Sequence, residues 1–237
     1  MSRERGWLWT SGENGENAIS NDLTSGMSDA AADRYRTQRK AHWDHVAQSM
    51  DVWTGLGAYY QKQLSYRYQL LVAPGMRVLE LGCGRGDLLA ALKPALGVGV
   101  DFSAEMIKRA AKRHPSLQFV HADVHKFPLA EKFDVIILSD LVNDLWDVQG
   151  ALENLAPMIH ARTQIILNTY SRLWEVPLVL TQRMGLSKPS LDQNWLTVDD
   201  IANLLRLVGF DVIQHTREIL CPLNIPVVSG LANRLMV

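Results

Sequence analysis

The run Arg77-Val78-Leu79-Glu80-Leu81-Gly82-Cys83-Gly84-Arg85-Gly86-Asp87 restricts this chain more than any other stretch. An apolar, strand-like segment leads straight into three glycines at alternate positions, and Leu88-Leu89-Ala90-Ala91-Leu92 then opens as an apolar helix. A strand, a tight turn and a helix start form a ligand-binding corner. The turn visits backbone conformations that a side chain forbids, and it lets a bound molecule approach the main chain closely. Glu80, just ahead of the first glycine, limits the charge of that molecule. A dinucleotide would lay its anionic pyrophosphate over a carboxylate, whereas a cationic ligand with a free amine matches it.

The segments that follow repeat the strand and helix alternation. Leu96-Gly97-Val98-Gly99-Val100-Asp101 reads as a second buried strand. Its terminal carboxylate lies about 20 residues beyond the first strand, the offset at which a doubly wound fold presents an acid to a ribose. Asp101 is therefore expected to accept from both ribose hydroxyls, and Ser103 to cap the next helix, Ala104 to Arg113. Leu117 to Val124 supplies a third strand, Phe133 to Asp140 a fourth, and Gln164 to Thr169 a fifth, with a helix from Val148 to Ile159 between the last two. The fourth is continuously apolar, as a strand covered on both faces should be. Thr197-Val198-Asp199-Asp200 opens a helix with a capping-box-like start that Gly209 stops, and Phe210 to Ile213 and Glu218 to Cys221 are expected as sixth and seventh strands. The pattern predicts an α/β fold with a doubly wound, mainly parallel seven-stranded sheet and helices on both faces. Ligands in such sheets lie outside the strand C-termini where the order reverses. The loop after the fourth strand is thus the place for chemistry, with Ser139 toward a cofactor and Asp140, Asn143 and Asp144 toward an acceptor.

At 237 residues the chain suffices for one such domain with modest additions. Residues 1–33, rich in Gly, Ser, Asn, Asp and Glu, are expected as a mobile polar tail, with Trp7 and Trp9 out of character there. Residues 34–72 read as a helical cap, and 73–237 as the α/β core with 171–196 as an insertion. A net charge of -1 without a basic stripe argues against a nucleic-acid surface. No apolar run is long and clean enough for a transmembrane segment. The two cysteines, Cys83 and Cys221, form no C-x-x-C, which fits a reduced cytoplasmic setting. His42 and His45 stand at helical i,i+3 spacing, but no further ligand is spaced to join them, so no metal is expected.

E-L-G-C-G-R-G resembles the first motif of class I S-adenosylmethionine-dependent methyltransferases, and the resemblance extends over Tyr35 to Val237. It implies S-adenosylmethionine as cofactor, with the loop Gly82, Cys83, Gly84 and Gly86 against its methionine part and Glu80 beside it. Asp123 and Val124 match the positions that accept from the adenine amino group and line its ring. Phe102, Ser103 and Met106 border the same site, with helix core the alternative for Met106. W-D-x-x-A, at Trp43 to Ala47, resembles the segment that covers the cofactor in small-molecule methyltransferases, which makes Tyr59 and Tyr60 contacts from above. Residues 171–196 would shape the acceptor pocket. Methyl transfer needs donor and acceptor held in line and, for a hydroxyl acceptor, a base. The candidates for that base are His42, His45, Asp140, Asp144 and Tyr170. L-N-T-Y-S-R-L-W-E and Q-N-W-L are similar to bacterial methyltransferase domains sometimes joined to glycosyltransferases, which suggests a small-molecule, sugar or lipid-linked acceptor and a glycosyltransferase partner. The competing readings are a binding module without turnover and a nicotinamide-dependent oxidoreductase. The latter calls for G-x-G-x-x-G where this chain has G-x-G-x-G.

Overall fold

The computed structural model describes residues 16–49, 56–127, 129–169, 191 and 193–215. The chain divides between Gln38 and Arg39 into two compact units. The first helix, α1 (Glu16–Ser49), starts well before Arg34, where the sequence pattern places its onset. Residues 16–33 thus continue the helix N-terminally; once a helix is nucleated, each added residue gains a hydrogen bond. Within the smaller unit Arg36 pairs with Asp33 at 2.7 Å, one helical turn apart.

The larger unit is built on a parallel sheet. Its strands are β1 (Arg77–Leu81), β2 (Leu96–Asp101), β3 (Gln118–His121), β4 (Val135–Ser139) and β5 (Gln164–Asn168), in the order β3-β2-β1-β4-β5. All four pairings are parallel. Side chains alternate between faces along each strand, and both faces of the central strands are covered. On one face Leu79, Leu81, Ile136 and Leu138 pack with Leu152, Leu155, Met158 and Ile201, from α5 (Val148–Glu153), the turn after it and α6 (Val198–Leu207). On the other, Val78, Val135 and Ile137 pack with Leu64, Tyr68 and Val72, on and just beyond α2 (Leu56–Leu71), and with Leu88 and Leu89 of α3 (Asp87–Ala91). Each such aliphatic side chain contributes roughly 1.5–3 kcal/mol by leaving water, so the middle of the sheet is its most strongly fixed part. The i, i+4 spacing of Leu64, Tyr68 and Val72 is what lets one helix stripe do this.

Between β2 and β3, α4 (Ala104–Arg113) buries Met106 and Ala110 and is capped by Ser103, whose side chain accepts from Met106 N. Thr197 and Asp200 form the expected capping box of α6, and Gly209 ends the helix region at φ +88°. The expected helix from Val148 to Ile159 is instead α5 followed by a 3-10 turn, Ala156–Met158. Pro157, without an N–H to donate, does not continue an α-helix.

Phe210 to Ile213 is not a strand, and Ile213 is 89% exposed. A strand needs a ladder partner for its backbone groups, and no described strand pairs with this segment. The described sheet therefore has five strands rather than seven; the expected seventh, Glu218 to Cys221, lies outside the described residues. So do Trp7, Trp9, Tyr170 and most of 171–196. No described helix is long and apolar enough to cross a membrane.

Candidate functional site

In the order β3-β2-β1-β4-β5 the sheet reverses direction between β1 and β4, so the loops after these strands flank a crevice at their C-terminal ends. The glycine bend after β1 is held from below and from one side. Gly82 N and Cys83 N both donate to Val100 O, at 2.8 and 3.0 Å, and Gly86 N donates to Cys83 O at 2.8 Å. Cys83 is itself buried, and burial pushes its thiol well above the usual range. Gly82, Gly84 and Gly86 all have positive φ. At Gly86 a Cβ would meet the Phe119 ring at 2.6 Å, so that glycine answers to packing. At Gly84, with φ +50°, a Cβ would meet nothing within 4 Å. Here the chain is left-handed and bare with open space beside it, as close approach of a ligand to the main chain requires.

Glu80 lies beneath this bend rather than in the open crevice. It is 3% exposed, and its Oε2 accepts from Leu89 N, in the first turn of α3, at 3.1 Å. That bond caps a helix whose own N-cap, Gly86, has no side chain to do so. Burial raises the carboxyl to about 8. Asp101, Asp87 and Asp140 push the same way, and the Leu89 N–H opposes them.

Asp101 ties the bend to the next loop. Its Oδ2 accepts from Gly84 N and its Oδ1 from Ser103 N, both at 2.9 Å. Burial raises this carboxyl despite the two donors. Ser103 also donates from Oγ to Asp44 Oδ1. Met106 is 2% exposed and packs with Val46, Ala47 and Trp43. Phe102 is half-buried and its carbonyl accepts from His121 Nε2 at 3.0 Å. Past β3, Asp123 Oδ1 accepts from His125 N at 2.9 Å and lies 2.8 Å from His125 Nδ1, while Val124 is part of the core.

The loop after β4 is fastened from three directions. Asp144, proposed as a base, forms a buried ion pair with Arg39 and accepts from Trp43 Nε1 at 3.0 Å. Asn143, expected toward an acceptor, is 1% exposed and donates from Nδ2 to Asn194 O at 2.7 Å, while Asn194 N donates back to Asn143 O at 2.8 Å. Asp140 holds φ +55°, the left-handed region, and accepts from Tyr60 OH at 2.9 and 3.1 Å and from Asn168 Nδ2. Asn168 Oδ1 in turn accepts from Tyr68 OH at 2.7 Å. Ser139, at the end of β4, pairs across the ladder with Asn168.

The structure thus gathers Glu80, Gly82, Gly84, Asp101, Ser139 and Asp140 around the switch point. It assigns Met106, Val124, Asn143 and Asp144 to packing and fastening. Tyr60 bonds to Asp140, while the side chain of Tyr59 lies outside the described residues. His42 sits edge-on to the Trp43 ring, centroids 5.4 Å apart, and His45 is exposed. Among the described residues no group of three or more His, Cys, Asp or Glu could hold a metal ion. Sequence reasoning missed Arg39, Asp44 and Asn168. Only the W-D pair hinted at the first two, since a Trp and an Asp side by side on a helix before the core offer a donor and an acceptor to separate loops.

Residues 78–161 match the family model described as a methyltransferase domain. Over 202 residues the chain is 26% identical to the 2-phytyl-1,4-naphtoquinone methyltransferase of Nostoc punctiforme, covering 72% of this chain and 87% of that one. It is 27% identical over 161 residues to the ubiquinone biosynthesis O-methyltransferase of Nitrobacter winogradskyi, covering 62% of this chain and 61% of that one. The chain spans less than two thirds of the length of several curated relatives it matches, down to 5% of a Penicillium soppii polyketide synthase. A solved structure from Thermotoga maritima, described as an S-adenosylmethionine-dependent methyltransferase and possible histamine N-methyltransferase, shares the fold. It is 18% identical, with 73% of this chain and 81% of that one covered and a TM-score of 0.59.

Proposed function

We propose that this chain, which matches a methyltransferase domain over residues 78–161, is a class I S-adenosylmethionine-dependent methyltransferase and that it methylates a small organic acceptor in the crevice between β1 and β4. The observation that carries the reading is Gly84, left-handed, open on its outer side, and tied through its N–H to Asp101. The residues present fit the cofactor. The main chain from Gly82 to Gly86 would take its methionine part, Asp101 its ribose hydroxyls, and Asp123 its adenine amino group, with Phe102 and Ser103 bordering the site. When bound, the cofactor supplies a methyl carbon already activated by an adjacent sulfonium charge.

What the chain must add is position and dryness. Asp101 fixes the bend and the loop after β2 at once, so both walls of the cofactor site move together. Asp44 on Ser103, with Arg39 and Trp43 on Asp144, draws the last turns of α1 across the loops after β2 and β4. Asp101, Asp87 and Asp140, near enough to Glu80 to hold it toward its neutral form, are the groups that would make the surroundings of the bend negative and favour a positively charged ligand.

One relative is named as a naphtoquinone methyltransferase and another as an O-methyltransferase of ubiquinone biosynthesis, which makes a hydroxylated, quinone-type ring the first acceptor class to try. A glycosyltransferase partner draws no support from the relatives reported above, and neither the nicotinamide nor the non-catalytic reading is favoured. Incubation with cofactor labelled in its methyl group and a panel of catechols, quinols and amines should yield labelled small molecules and the demethylated cofactor. Label appearing only in glycan or lipid extracts would move the acceptor to those classes.

A further inference from the structure

One cluster at the switch point is left over once the cofactor site and the fastenings of α1 are accounted for. Asp140 follows the last residue of β4, and Leu141, next to it, closes on Gly82, where a Cβ would meet Leu141 Cδ1 at 2.8 Å. The Asp140 backbone is therefore at the edge of the glycine bend. Two elements send three polar groups to it: Tyr60 from α2, Asn168 from the end of β5, and, through Asn168, Tyr68, also from α2. Tyr68 donates to the amide oxygen of Asn168, which leaves the amide nitrogen to donate to Asp140. The orientation of the whole chain of bonds is thus fixed.

A carboxylate serving only to tie α2 to the sheet would not need the left-handed backbone that Asp140 holds. Strain of this kind persists where the surroundings over-determine it, and it concentrates at sites of chemistry. Asp140 is also half-buried, unlike Asn143 in the same loop, which is buried.

We infer that Asp140, held by Tyr60 and Asn168, faces the point of methyl transfer and receives the proton of a hydroxyl- or amine-bearing acceptor. The inference rests on the methyltransferase reading and adds to it the acceptor's chemistry and the group that meets it. In the step, a lone pair of the acceptor oxygen or nitrogen forms the bond to the methyl carbon. The carbon–sulfur bond breaks with its pair returning to sulfur, and the proton leaving the acceptor passes to the Asp140 carboxylate. Tyr60 and Asn168 are positioning residues. Glu80 and Tyr68 are the other titratable groups that feel Asp140.

The test needs no acceptor. The full chain is titrated calorimetrically with S-adenosylhomocysteine and with sinefungin, an analogue bearing a primary amine where the sulfonium methyl would be. A carboxylate facing that point should hold the amine by a charge-assisted hydrogen bond and favour sinefungin on the order of tenfold. Asp140→Asn should abolish the preference and leave S-adenosylhomocysteine affinity unchanged. Tyr60→Phe removes a donor from the carboxylate, so the preference should persist but be lost on acidification at a higher pH than in the wild type. Repeating the titrations in Glu80→Gln removes the contribution of Glu80, which also feels Asp140. A preference that survives Asp140→Asn overturns the inference. If that variant does not fold, an unshifted profile in Tyr60→Phe overturns it instead. Failure of the wild type to bind either compound overturns the cofactor reading, and this inference falls with it.

Discussion

At Glu80 the surroundings, more than the residue type, decide the charge. The sequence places a carboxylate at the bend; the fold buries it below the bend and bonds it to α3. Its titration moves from the ordinary 4.5 to about 8, so the fold favours the protonated form. The stability this confers is full below about 4.5 and is lost as pH rises through about 8. The midpoint of thermal unfolding of the ligand-free protein should fall over that range, and Glu80→Gln, which has no proton to lose, should flatten the fall. An equal slope in both proteins would mean that another group carries it. The glycines make a second prediction at this scale. Gly86→Ala meets both a left-handed backbone and the Phe119 ring, whereas Gly84→Ala meets the backbone cost alone, roughly 1–2 kcal/mol. Denaturant titration should find Gly86→Ala the more destabilising, and calorimetry should find that Gly84→Ala weakens cofactor binding out of proportion to its stability cost.

Among the elements, the last turns of α1 matter most to the site. Arg39 and Asp144 are both buried, so Arg39→Ala strands a carboxylate away from water and should cost about 3–5 kcal/mol in chemical denaturation. A cost below 1 kcal/mol would show that the pair is not buried in solution. These contacts were not legible in the sequence, because Arg39 and Asp144 are 105 residues apart and no periodicity links them. The strands were legible for the opposite reason. Val98 to Val100 and Val135 to Leu138 are runs without a polar side chain, and Val78 to Leu81 is broken only by Glu80, so a two-sided burial pattern is written directly into them. Met106 could be read as core or as ligand contact because a Met on the first turn of a helix serves either; only the arrival of Val46 and Ala47 decides it. Phe210 to Ile213 has the composition of a strand, yet composition cannot supply the neighbour that a strand must pair with.

For the molecule as a whole, the sheet order places the bend after β1 and the loop after β4 on either side of one crevice, with Glu80, Asp101 and Asp140 close to one another there. The sequence alone yields that topology in outline, since strand-helix alternation and right-handed crossovers leave few arrangements open. It does not yield the acceptor, because methyl transfer requires no nucleophile from the protein and so leaves no fixed motif for one. The most direct measurement is a calorimetric titration of the whole chain with S-adenosylmethionine and with NAD, in the wild type and in Asp101→Asn. The account predicts that S-adenosylmethionine binds, that NAD does not compete with it, and that Asp101→Asn weakens it by roughly 1.5–3 kcal/mol per charge-assisted hydrogen bond lost. Tighter binding of NAD than of S-adenosylmethionine would contradict it.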